Sequence, residues 1–224
     1  MKVLNLYAGI GGNRKFWTDC DVTAVEFNSD IAEQYKKFNP NDTVIIGDAH
    51  AYLQEHYSEF DFIWSSPPCP THSITRYMQK KKIYADLSLY QEIIFLKTWF
   101  KGLYVVENVV PYYEPLIKPS TILHRHCIWS NFEIGDAEFE KLQTCKALKE
   151  RELLQEKFGF DVSDFKGDKR KILRNCVVPE MGLHIFNEMR HVLCQNNLPK
   201  KGNKVAQNTA YNTASMPLQE TTTA

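Results

Sequence analysis

Short apolar runs alternate with amphipathic stretches through the first 110 residues. Residues 3–8, 22–27, 43–46, 61–65 and 103–106 are short, rich in β-branched or aromatic side chains and bounded by turn residues, which predicts buried strands. Between them, residues 14–19, 30–38, 51–60 and 87–100 carry helical spacing, and Asn28-Ser29-Asp30 offers a cap cluster ahead of the second stretch. Strands separated by helices predict βαβ units, hence an α/β chain with a mostly parallel, doubly wound sheet. Such sheets bind ligands beyond the carboxyl ends of their strands, which directs attention to the loops there.

Beyond this block, residues 121–132 are again strand-like. Residues 137–158 are highly charged, with Phe139, Leu142, Cys145 and Leu148 at three-residue steps, and predict a surface helix; 159–171 reads as a polar connection. From Ile172 the chain turns apolar, and Met181, Ile185, Phe186, Met189 and Leu193 suit one helix face. After Asn196 the composition is Asn, Thr, Gln and Lys, as expected of a flexible tail. The expected organisation is one domain over 1–195, with a short insert at 133–171, and a tail over 196–224.

Composition adds little to this picture and excludes some classes. No apolar run approaches the roughly 20 residues of a membrane span, and the amino terminus has no signal-peptide pattern, so the expected location is cytoplasmic and away from membranes. The six cysteines form no CxxC pair, which argues against a disulfide framework or a zinc site; no metal is expected. His124 and His126 would share a face if they lay on one strand. The 27 basic and 27 acidic residues cancel, so any nucleic-acid contact would rest on local runs: Arg76 with Lys80, Lys81 and Lys82, or Lys166, Lys169, Arg170, Lys171 and Arg174. Taken alone, each run reads better as a solvated face.

Four loops carry candidate chemistry. Tyr7-Ala8-Gly9-Ile10-Gly11-Gly12-Asn13 follows the first strand; its glycines allow either close approach of a ligand or a tight strand-to-helix turn. Glu26 ends the second strand, where an acid commonly holds ribose hydroxyls, and Asp48 follows the third; either acid can instead cap a helix. The fourth strand runs into Ser65-Ser66-Pro67-Pro68-Cys69-Pro70-Thr71-His72-Ser73, where two prolines fix the direction of a thiol that reads as nucleophile or as structural cysteine. Glu107 sits at the end of the fifth strand, as an ion-pair partner or as a general acid with a raised pKa.

Taken in order, Tyr7-Ala8-Gly9-Ile10-Gly11-Gly12, Val25-Glu26-Phe27, Gly47-Asp48-Ala49, Pro67-Pro68-Cys69 and Glu107-Asn108-Val109 resemble the motifs of the DNA (cytosine-5) methyltransferases. The likeness spans about residues 1–132 and returns at 172–189. It implies a Rossmann-like class I fold dependent on S-adenosylmethionine. Tyr7, Ala8, Gly9, Ile10, Gly11 and Gly12 would line the methionine end of that cofactor, Glu26 its ribose, and Phe27, Asp48 and Ala49 its adenine. Pro68 would border the pocket, and Asn175 and Val177 would return to it through a segment resembling the family's Gly-Asn-x-Val motif, with Arg174 in place of the glycine. A rival match at Gly202-Asn203-Lys204-Val205 is followed by polar tail rather than by an apolar helix.

The resemblance also implies a reaction. Cys69 would add to C6 of cytosine, Glu107 would hold N3, and C5 would take the methyl group; Arg125 would contact base or phosphate. Ser73, Arg76, Lys80, Lys81, Lys82 and Arg125 are the candidate nucleic-acid contacts. Three features depart from the family. Pro70 replaces its usual glutamine, Leu123-His124-Arg125-His126-Cys127 replaces its Gln-x-Arg-x-Arg, and about 40 residues stand where sequence-specific members carry a recognition domain. DNA is the expected substrate; RNA, or a protein partner that supplies specificity, stays open, and a restriction-modification role is an association with the family alone. The competing class is a catalytically inactive binding protein of this fold, which would need neither Cys69 nor Glu107.

Overall fold

A computed structural model describes residues 1–73, 84–140 and 150–197, with side chains to 195. Seven strands form one sheet: β1 (Lys2–Leu6), β2 (Asp21–Glu26), β3 (Thr43–Ile46), β4 (Phe62–Ser65), β5 (Leu103–Val109), β6 (Thr121–Leu123) and β7 (His126–Ser130). Their order is β3-β2-β1-β4-β5-β7-β6. The first five are parallel and β7 runs antiparallel to β5, opposing Glu107 with Ile128 and Val109 with His126. The order reverses between β1 and β4, so the crevice for a ligand opens over the carboxyl ends of those two strands.

The helices are α1 (Ser29–Phe38), α2 (Ala49–His56), α3 (Ser88–Trp99), α4 (Glu150–Phe158), α5 (Lys169–Arg174) and α6 (Pro179–Asn197). Asn28 caps α1 by accepting from Ile31 N, and Asp48 and Asp168 cap α2 and α5 in the same way. Strand alternation divides the core. Val3, Phe62, Trp64 and Val105 face a layer containing Met181, Ile185, Phe186 and Met189 of α6. Leu4, Leu6, Ile63 and Val106 face Leu89, Ile93 and Leu96 of α3.

Several expectations need correction. Residues 14–16 lie in a turn and 17–19 are irregular, so this stretch is not a helix. Trp17 stacks on Phe186 at 4.9 Å and donates through Nε1 to Gly182 O, while Arg14 is held by Asp42 at 2.9 Å. Tertiary anchors therefore override a short stretch of weak helical periodicity. Of the long charged stretch, α4 alone is helical among the described residues; 133–140 are irregular, and 141–149 lie outside the described set. The connection 159–171 is less polar than its composition reads, because Phe160, Val162 and Phe165 are buried in the α6 layer. Residues 121–132 fold as a β6–β7 hairpin, which puts His124 (φ +54°) and Arg125 in the turn and His126 on β7, so the two histidines do not share a strand face. The tail from 198 lies outside the described residues.

Candidate active site

Cys69 follows β4 in a loop whose backbone is held at several points. Asn108 Nδ2 donates to Pro67 O at 2.8 Å, while His72 N and Ser73 N donate to Cys69 O at 2.9 and 3.1 Å. The loop is braced further by His72 Nδ1 and Tyr113 Oη, 2.7 Å apart. Cys69 itself is half-buried. Glu107, on neighbouring β5, is buried, with Ser66 Oγ donating to Oε2 at 2.9 Å and Trp64 Nε1 donating in turn to Ser66 Oγ at 2.9 Å. Its other oxygen stands 3.5 Å from His126 Nε2. Burial pushes His126 down to about 4, so at neutral pH this contact is not an ion pair.

Arg125 joins the pair from the hairpin turn, where its carbonyl accepts from Val110 N at 3.0 Å. Burial raises Glu107 to about 7, against the pull of the Ser66 hydrogen bond and the Arg125 charge. Burial, and then the Glu107 charge, raise the Cys69 thiol, while Arg125 favours its thiolate. Glu107 and Arg125 thus act on Cys69 in opposite directions, and Arg125 also favours the charged form of Glu107. A proton on Glu107 both equips it to donate and removes a charge that opposes the thiolate.

The cofactor-side residues gather over the carboxyl ends of β1 to β3. Gly9 N donates to Glu26 Oε2 and Asn28 N to Oε1, both at 2.9 Å. A carboxylate offers about four acceptor positions, so two remain for hydroxyls. A side chain added at Gly9 or Gly47 would meet nothing within 4 Å, which marks open space beside both loops. Phe27 is 78% exposed, and Asp48 uses Oδ1 on Ala51 N at 2.7 Å. These groups fit a nucleoside: two acids, an open backbone and an aromatic face.

Other candidate residues have different surroundings. Ala8, Ile10, Ala49 and Val177 are buried in the core, whereas Pro68 and Asn175 are exposed. Gly11 packs on Tyr35 and Asn39. Gly12 packs on the return segment, where a Cβ would collide with Cys176 Sγ and Val177 O. Segment 175–177 therefore does return to the glycine loop. Gly12→Ala is expected to destabilise the fold by about 1–3 kcal/mol, read as a lowered melting temperature. An unchanged melting temperature would mean that the return segment is not tightly seated.

Sequence reasoning missed three participants. Ser66 and His126 flank Glu107, and no motif announces either. Glu92 of α3 is fully buried, accepts from Tyr7 Oη and from Ser65 Oγ, and lies 3.4 Å from His50 Nδ1. That hydrogen bond to Glu92 raises His50. The signal was present: Glu92 falls on the apolar stripe of Leu89, Ile93 and Leu96.

Among the nucleic-acid candidates, Ser73 pairs with Pro111 in an isolated bridge and Arg125 is exposed, while Arg76, Lys80, Lys81 and Lys82 lie outside the described residues. A cavity of about 270 Å³ opens beside Arg125, lined also by His124, Glu140, Glu150 and Arg174. There Arg174 reaches the buried Glu150 at 3.2 Å, which gives the residue in place of the motif glycine a partner in the insert. A larger cavity of about 710 Å³, lined by Ser120, Asn131 and Glu188 among others, contains none of the site residues.

Sheet order and the crevice at its switch point define a Rossmann-like, doubly wound fold. Residues 1–110 match the family model described as C-5 cytosine-specific DNA methylase. No curated protein matches the chain. Similar solved structures include DNMT2 of Spodoptera frugiperda, with 26% identity over 48% of this chain and 35% of that one, at a TM-score of 0.35. Another is a hypothetical protein of Thermus thermophilus, with 17% identity over 58% of this chain and 73% of that one, at 0.41. The methyltransferase EhMeth of Entamoeba histolytica has 16% identity over 49% of this chain and 38% of that one, at 0.35. The family match supports methyl transfer, with nucleic acid as the general substrate class. Among the described residues no helix is long and apolar enough to cross a membrane.

Proposed function

We propose that the chain transfers a methyl group from S-adenosylmethionine to C5 of cytosine in DNA through a transient bond between Cys69 and C6. The observation that carries this reading is the placement of Cys69 after β4 and of Glu107 on the adjacent β5, with Arg125 in the β6–β7 turn, where Glu107 opposes and Arg125 favours the Cys69 thiolate. Tyr7, Gly9, Glu26, Phe27 and Asp48 are the residues that would hold the cofactor, and when bound it supplies an electrophilic methyl group.

The chain's own residues do the rest. Cytosine C5 is a poor nucleophile until the Cys69 thiolate adds to C6 and Glu107 donates its proton to N3. The electron pair then available at C5 would take the methyl group of the bound cofactor, whose methyl–sulfur bond breaks to leave S-adenosylhomocysteine. Loss of the C5 proton to water would then expel Cys69 as its thiolate, and N3 would return its proton to Glu107. Arg125 stabilises the thiolate before addition and is exposed to meet base or phosphate. In duplex DNA the target base must leave the stack to reach the thiol.

The test supplies methyl-labelled S-adenosylmethionine with cytosine-containing DNA or RNA, followed by nucleoside analysis. Labelled 5-methylcytosine from DNA is the expected product. Label in RNA alone would move the substrate, and label on an exocyclic amine would overturn the covalent route.

A further inference from the structure

A carboxylate without exposed surface is costly unless hydrogen bonds replace its water. Glu92 meets that requirement with partners from three other elements. Tyr7, which donates to Oε1, leaves β1 with φ +55°, a left-handed conformation that a tyrosine rarely adopts. Ser65, which donates to Oε2 at 2.5 Å, is the last residue of β4 and precedes the serine that holds Glu107. His50, 3.4 Å from Oε1, lies in the first turn of α2, two residues after Asp48. A leucine would complete the α3 stripe, and a phenylalanine at position 7 would fill much of the same space. The three donors have a common purpose only if their relative positions matter.

We propose that Glu92 is a positioning residue of the cofactor cradle, with its single buried carboxylate setting the loops after β1, β3 and β4 relative to one another. This rests on the cofactor reading above. Tyr7 is the link through which Glu92 orients the Gly9 backbone, and Ser65 ties the same carboxylate to the catalytic side. Glu92 need not touch the ligand to govern its affinity.

The experiment measures S-adenosylhomocysteine affinity by calorimetry and melting temperature without ligand, for the wild-type chain and for Glu92→Gln, Ser65→Ala and Tyr7→Phe. Each variant is expected to bind about tenfold more weakly or worse, equivalent to about 1.4 kcal/mol. Ser65→Ala and Tyr7→Phe each leave the buried carboxylate short of a donor and should lower the melting temperature by a few degrees while the chain stays folded at the temperature of the titration. Should Glu92→Gln fail to fold, Ser65→Ala is decisive, because the proposed cofactor contacts do not use Ser65. Lowered melting temperatures with unchanged affinity would overturn the inference and leave Glu92 as a packing residue. A wild-type chain that binds no S-adenosylhomocysteine would overturn the cofactor reading itself, and this inference with it.

Discussion

Cys69→Ser is expected to retain S-adenosylmethionine binding and to lose turnover by roughly 10⁴-fold or more. The serine hydroxyl fits the same loop, which is held by Asn108, His72 and Ser73 through backbone atoms rather than through the thiol. The proposed cofactor contacts lie over β1 to β3, so cofactor affinity should not change. A hydroxyl has a far higher pKa than a thiol and is a poorer nucleophile towards C6. Steady-state methyl transfer beside calorimetric cofactor binding checks both halves. Retained turnover would remove the nucleophile from the account.

The second large effect is expected at Glu107. Glu107→Gln keeps the shape and can still donate from its amide, yet has no acidic proton to give N3, so kcat should fall roughly 10²- to 10⁴-fold. Two further consequences point the other way. Removing the Glu107 charge removes one of the forces that raise Cys69, so the thiol should titrate at lower pH, readable as the alkylation rate of the Cys69 peptide against pH. The substitution should also stabilise the fold in alkaline solution.

The direction of that last effect follows from the coupling of proton binding to folding. The carboxyl titrates at 4.5 when unfolded and at about 7 when folded, so its favourable contribution is complete below 4.5 and is lost as the pH rises through 7. The shift corresponds to about 3 kcal/mol. At pH 8 the variant should therefore melt several degrees above wild type, whereas near pH 4 the two should coincide. Equal melting at pH 8 would show that Glu107 ionises without penalty. On the proposed mechanism the competent pair is protonated Glu107 with ionised Cys69, so the rate should fall below about pH 7 and again above the raised thiol pKa.

Much of this architecture was legible in the pattern of residues. Alternating apolar runs marked the five parallel strands, and Asn28 was visible as a cap because a short acceptor preceded an amphipathic run. Asp48 is a cap too, through Oδ1, which leaves Oδ2 for the adenine contact the motif implies. Tertiary packing hid the rest. Trp17 and Arg14 look helical until Phe186, Gly182 and Asp42 claim their side chains. Phe160, Val162 and Phe165 sit in a stretch whose composition reads as polar, and they bury because the α6 layer extends over them. The His124–Arg125 turn carries no glycine to signal it. Ser66 and His126 acquire meaning only when β4, β5 and β7 lie side by side. Glu92 was the one hidden partner with a visible trace, an acid on an apolar stripe, which raises the question of what it holds.

The most direct test of the central claim is to incubate the chain with S-adenosylmethionine and a 5-fluorocytosine oligonucleotide, then digest it and find the modified peptide by mass spectrometry. Fluorine at C5 prevents the elimination that frees the thiol. The account predicts a stable adduct on Cys69, carrying one methyl group on the base and missing from Cys69→Ser. Methylated oligonucleotide with no protein attached, or an adduct on another cysteine, would contradict it.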